Sequence, residues 1–79
     1  MRVHVLLFAS LREIAGDSQV EFELGAGATA VAVREELAAR WPATRQVPYI
    51  VAVNQDYATD EHELSDGDEV ALVPAISGG

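Results

Sequence analysis

The residues best placed to do chemistry are the last two. Gly78 and Gly79 follow a strand-like run over residues 69–73 and the short stretch Pro74-Ala75-Ile76-Ser77. A glycine has no Cβ, so a Gly-Gly terminus can thread a narrow channel and adopt backbone angles closed to other residues. Fully extended, residues 75–79 reach roughly 17 Å past the strand, at about 3.3 Å per residue. That is far enough for a terminal carboxylate to enter another protein's active site while the folded body stays outside. A free α-carboxylate, with an ordinary pKa of about 3.3–3.7, is an anion near neutral pH and a poor electrophile. It must be activated before a nucleophile can replace one of its oxygens. The competing reading is a frayed chain end, where small residues commonly collect.

Composition narrows what stands behind that terminus. Seventy-nine residues fit one domain with one small core and leave no room for a separate catalytic domain. There is no cysteine, so disulfides and thiolate metal sites are excluded, and any sulfur chemistry must use something other than a side-chain thiol. Five arginines, no lysine and thirteen acids give a formal net charge of -8, which opposes binding to phosphate backbones or anionic membranes and favours a basic protein surface as partner. The same acidity also serves solubility. No apolar run approaches the ~20 residues of a membrane span, and the start does not resemble a signal peptide. A cytoplasmic protein is the default expectation.

The elements that must present the tail can be read from periodicity. Residues 2–8 are β-branched or apolar almost throughout, with Val3, Val5 and Leu7 on one face and His4, Leu6 and Phe8 on the other, which suggests an interior strand. Residues 9–15 can form one or two helical turns ended by Gly16-Asp17. Residues 19–24 alternate, with Val20, Phe22 and Leu24 inward and Gln19, Glu21 and Glu23 outward. Gly25-Ala26-Gly27-Ala28 breaks that strand. Thr29 is then placed to cap a helix over residues 30–41, whose stripe of Ala30, Val33, Leu37 and Trp41 is apolar and whose end is set by Pro42. Residues 49–53 read as a third strand turned by Asn54-Gln55-Asp56, residues 57–59 as a brief edge strand, and residues 69–73 as a closing strand after the Asp66-Gly67 turn.

The expected architecture is α+β: a mixed sheet of about five strands packed on one main helix, with the last strand beside the first. This order fits a β-grasp, or ubiquitin-like, roll, and it also admits ferredoxin-like variants lacking a helix. The expected domain covers residues 1–74, with a flexible tail over 75–79. Its expected core is Val3, Val5, Leu7, Val20, Phe22, Leu24, Val33, Leu37, Ile50, Val53, Val70 and Leu72.

Four blocks occur in order: Phe8-Ala9-Ser10-Leu11-Arg12-Glu13, Val53-Asn54, Leu64-Ser65-Asp66-Gly67-Asp68-Glu69-Val70, and Pro74-Ala75-Ile76-Ser77-Gly78-Gly79. Together they resemble the MoaD family, the small sulfur-carrier subunits of molybdopterin synthase, over essentially the whole chain. Ala75 departs from the second proline often found there. The resemblance implies that an E1-like (MoeB-like) enzyme uses ATP to adenylate the Gly79 carboxylate, and that a sulfur donor then displaces AMP to leave a thiocarboxylate. It further implies that the tail, Ile76, Ser77 and Gly78 included, enters a MoaE-like large subunit, where sulfur passes to a cyclic pterin precursor of molybdopterin. The catalytic acids and bases then belong to the partner, and this chain holds no permanent cofactor and no metal. A two-plus-two assembly is part of the same implication.

Phe8, Leu11, Arg12, Pro74 and Ala75 are the candidate partner-binding residues, with Ile76 on the tail side of the same patch. For Phe8 and Leu11 the alternative is ordinary core packing; for Arg12 it is a surface ion pair with Glu13 or Asp17. Asp66-Gly67-Asp68 reads as a structural turn, lacking the ligand count of a calcium loop, and His4 and His62 have no metal-ligand spacing. Other diglycine sulfur carriers, for thiamine, cysteine or tRNA thiolation, would share the terminal chemistry. A ubiquitin-like modifier joined through Gly79 to target lysines, and a passive binding domain, are the rivals from other classes.

Overall fold

The computed structural model describes residues 1–75; Ile76, Ser77, Gly78 and Gly79 lie outside the described residues. The described elements are β1 (Arg2–Leu7), α1 (Ala9–Ala15), β2 (Gln19–Glu23), α2 (Ala30–Arg40), a 3-10 turn (Pro42–Gln46), β3 (Tyr49–Val53), β4 (Asp56–Tyr57) and β5 (Glu69–Pro74). The strands form one sheet in the order β2-β1-β5-β3-β4. β1 and β5 run parallel, with Val5 opposite Val70 and Leu7 opposite Leu72, and the other neighbours are antiparallel. This is the β-grasp roll, with the closing strand at the centre beside the first.

Alternation decides which face is dry. Val3, Val5 and Leu7 of β1, Phe22 of β2, Val51 and Val53 of β3, and Val70 and Leu72 of β5 are buried together with Ala30, Val33 and Leu37 of α2. Trp41 packs partly against the same cluster, so the expected helical stripe holds. Val20 and Leu24 are only partly buried, because β2 is an edge strand and Leu24 lies just past its end. One expected core residue is misplaced. Ile50 is 43% exposed and Val51 is buried instead. A regular strand cannot turn both residue 50 and residue 53 to one face, since side chains alternate with period two. Leu11, Ala30 and Leu64 are core residues beyond the expected set.

Two local details differ from expectation. Thr29 sits at the N-cap in an extended conformation, but its side chain makes no capping bond. The first amides of α2 donate instead to backbone carbonyls of the 60–62 loop, Ala30 N–H to His62 at 3.0 Å and Val31 N–H to Asp60 at 3.2 Å. That loop thus satisfies helix donors that would otherwise be orphaned. The edge strand is Asp56–Tyr57, joined to β3 by Asn54-Gln55, both at positive φ (50° and 74°), which is the geometry of a type I′ hairpin.

Candidate functional site

The tail is rooted at the end of β5. Tyr49 pairs with Pro74, and Ala75 donates its N–H to the Pro48 carbonyl at 3.0 Å, so the backbone is held through the last described residue. Gly79, Gly78, Ser77 and Ile76, the expected carrier and threading residues, fall outside the described residues.

Next to this root lies the face of the sheet opposite α2. Leu6 and Ala71 are paired across β1 and β5, Ala71 and Ala52 across β5 and β3, and Ala52 and Tyr57 across β3 and β4. A second row joins Val73 to Ile50, and Phe8, one residue past the Leu7–Leu72 pair in still-extended backbone (φ -123°, ψ 154°), extends that row. Phe8, Ile50 and Tyr57 are the exposed large apolar side chains among the described residues. Apolar residues are thus aligned by register on a solvent-facing sheet surface, a candidate docking face. The opposite end of the same face is charged: Glu21, Glu23 and Glu69 lie there, with Arg2 donating to Glu23 at 2.9 Å and His4 3.2 Å from Glu21. The Glu23 carboxylate holds the Arg2 guanidinium above its usual pKa, through a hydrogen bond first and charge second.

Phe8 is presented by strain in the next residue. Ala9 has φ 49°, a left-handed conformation that side-chain-bearing residues seldom adopt. This sharp turn ends β1 and starts α1, leaving Phe8 44% exposed beside the tail root. Leu11 requires a correction. It was expected on the partner patch, but it is fully buried, the one buried residue of α1, and it closes that helix onto the core. Arg12 is exposed and makes no ion pair with Glu13, Asp17 or any other described acid; its carbonyl instead accepts the N–H of Gly16, which caps α1 at φ 78°.

At the far end of β5 a polar clamp fixes the strand. Asn54 accepts the Glu69 N–H at 3.0 Å and donates to Asp68 at 2.9 Å, while the other Asp68 oxygen accepts the Ser65 N–H at 2.8 Å. The Ser65 amide, then the Asn54 amide, lower the Asp68 carboxyl below its ordinary pKa. Arg2 N–H donates to Asp66, and Gly67, at φ 86°, donates to the Arg2 carbonyl. The Asp-Gly-Asp segment is therefore occupied in turn-making. Among the described residues no three His, Cys, Asp or Glu side chains gather where a metal could sit. No described helix is long and apolar enough to cross a membrane.

A root for a diglycine tail beside an aligned apolar face can be set against known proteins. The model of the ThiS family matches residues 5–79. The chain belongs to the ThiS family. A molybdopterin synthase sulfur carrier subunit of Chlamydomonas reinhardtii is 42% identical, with all of both chains covered. Among solved structures, a putative molybdopterin converting factor subunit 1 from Pyrococcus furiosus superposes with a TM-score of 0.90 at 30% identity, covering 96% of this chain and 99% of the other. The small archaeal modifier protein 1 of Haloferax volcanii gives 0.87 at 27%, covering 95% and 98%. The ThiS-family match extends to residue 79. Sequence reasoning missed Ile50, Ala52, Tyr57, Ala71 and Val73 as surface residues of the docking face. Alternation through β5, with Val70 and Leu72 inward, was the signal for Ala71 and Val73; Ile50, Ala52 and Tyr57 follow only from the pairing of β3 with β5 and β4.

Proposed function

We propose that this chain is the sulfur-carrier subunit of a molybdopterin synthase. An E1-like enzyme, with ATP, joins the Gly79 carboxylate to AMP with loss of pyrophosphate. A sulfur donor then attacks the acyl carbon and AMP leaves, so that one carboxylate oxygen is replaced by sulfur. The thiocarboxylate tail enters a large subunit, which supplies the catalytic groups, and sulfur passes to a cyclic pterin precursor. The folded body supplies position: it holds the tail root through Pro74 and Ala75 and offers the Phe8–Val73–Ile50 face to both partners in turn.

The observation that carries this reading is the 42% identity to a molybdopterin synthase sulfur carrier subunit over all of both chains, in a chain whose β5 ends beside an exposed apolar face. The likeness to an archaeal modifier protein favours a second reading, in which Gly79 is joined to lysines of target proteins. Intact mass after incubation with ATP, the activating enzyme and a sulfide source separates the two. Exchange of one oxygen for sulfur on Gly79 supports the carrier. Appearance of a whole added protein without that exchange supports the modifier, and no change refutes both. Deleting Gly79 is expected to abolish the mass change and leave the melting temperature within a degree or so, because no described core residue lies beyond Leu72.

A further inference from the structure

On the helix side of the sheet, still close to the tail root, a cleft of about 570 Å³ opens between α2, the 3-10 turn and the start of β3. Two of the chain's five cationic side chains, Arg34 and Arg45, converge on it. With Asp60 paired to Arg34 and Glu35 also on the lining, the cleft is formally balanced in a chain of net charge -8, and Arg45 is its uncompensated cation. Arg34 is pre-oriented: its Nε donates to Asp60 at 2.8 Å, and its guanidinium lies 4.6 Å above the Tyr49 ring. Its Nη2 makes only a long 3.4 Å bond to the Tyr49 carbonyl, which leaves donor capacity on the cleft side. Arg45 is exposed and pairs with no acid among the described residues. Tyr49, partly buried beneath Arg34, has its hydroxyl pKa raised by burial, so it stays a neutral wall of the cleft.

We propose that this cleft seats a single carboxylate side chain of the protein that grips the tail, a second anchor on the opposite side of the root from the apolar face. The proposal rests on the carrier reading above. Position supports it, since Tyr49 both lines the cleft and pairs with Pro74, while the Pro48 carbonyl holds Ala75. Charge selects the occupant. Asp60 is committed to Arg34, but Glu35 also lines the cleft and repels a polyanion, so a monoanion able to take a forked arginine bond fits better than a phosphate. The partner surface that suits the whole body is then basic with one acid set to meet Arg34 and Arg45. Such a lone reversed charge fixes rotation about the tail, because docking in another orientation places like charges together.

The test uses the full chain and the large synthase subunit from the same genome, with affinity measured by calorimetry at low and high salt. Arg45→Glu is expected to weaken binding about tenfold or more with an unchanged melting temperature. Arg45→Ala should weaken it less, and an Asp or Glu→Arg scan of the partner should contain one variant that restores affinity to Arg45→Glu alone. Wild-type affinity in Arg45→Glu overturns the proposal and leaves the carrier reading standing. Failure of the wild-type chain to bind the large subunit overturns both. A shift of the Arg45 side-chain NMR signal on deleting Gly78 and Gly79 from the free chain would assign the cleft to the chain's own carboxylate and also overturn the proposal.

Discussion

Replacing Ile50 and Phe8 by serine tests the docking face where it lies nearest the tail. Ile50 is 43% exposed and Phe8 44%. Full burial of such a side chain is worth about 1.5–3 kcal/mol, so covering the exposed fraction contributes about 0.6–1.3 kcal/mol at each position. The two together should then weaken partner binding about 10- to 80-fold. The already buried portion supports the fold, and each single variant should lose about 1 kcal/mol of stability for that reason. Calorimetry well below the melting transition separates the two effects. Ala39→Ser, exposed on α2 away from this face, serves as the control. A double variant that is folded yet binds the large subunit within about twofold of wild type would refute the assignment. Equal losses for Ala39→Ser would do the same.

Leu11→Ala should destabilise the domain by about 2–5 kcal/mol, as a large-to-small change in the core, and leave affinity per folded molecule unchanged in a denaturation series paired with binding; weakened binding without lost stability would restore Leu11 to the surface patch. At Asn54, glycine keeps the left-handed turn and loses the clamp, while alanine loses both, so melting temperatures should fall in the order wild type, Asn54→Gly, Asn54→Ala, each step about 1 kcal/mol; a glycine variant as stable as wild type would dismiss the clamp. The Asp68 carboxyl has a lowered folded-state pKa, so its contribution is present above the unfolded value near 3.9 and is lost as pH falls through the folded one. Asp68→Asn should therefore flatten the acid limb of stability below about pH 4, measured by urea unfolding across pH, and an unchanged slope would show that Asp68 plays no part.

Sequence pattern carried most of the fold because its signals were local and mutually consistent. The alternation of β2, the stripe of α2 and the Asp66-Gly67 turn each point to one structure. Ile50 failed because residues 49–53 are apolar throughout, and only pairing with β5 decides which face is dry. Leu11 failed for a similar reason: a seven-residue helix is too short for a stripe, so its buried position is set by what it packs against. The cap of α2 was illegible because its hydrogen bonds come from backbone carbonyls thirty residues away in sequence, where side-chain identity says nothing. The tail reading rests on residue type alone, whereas the apolar face beside the tail root emerged only from strand register.

Central placement of β5 links these parts. Its neighbours lock it on both sides, to β1 from Glu69 to Leu72 and to β3 from Val70 to Pro74. A slip of one residue would turn Val70 and Leu72, both fully buried, outward and drive Ala71 and Val73 into the core. The Asn54–Asp68 clamp opposes the same slip at the strand's start. Tension or insertion at the tail therefore cannot be relieved by sliding the strand, and the distance from the docking face to Pro74 is fixed by register. Parallel pairing with β1 adds the second constraint, because it brings Phe8 to the end of the sheet from which the tail departs. An antiparallel closing strand in that slot would send the tail out beside Arg2 and the acidic end of the face, away from the apolar rows.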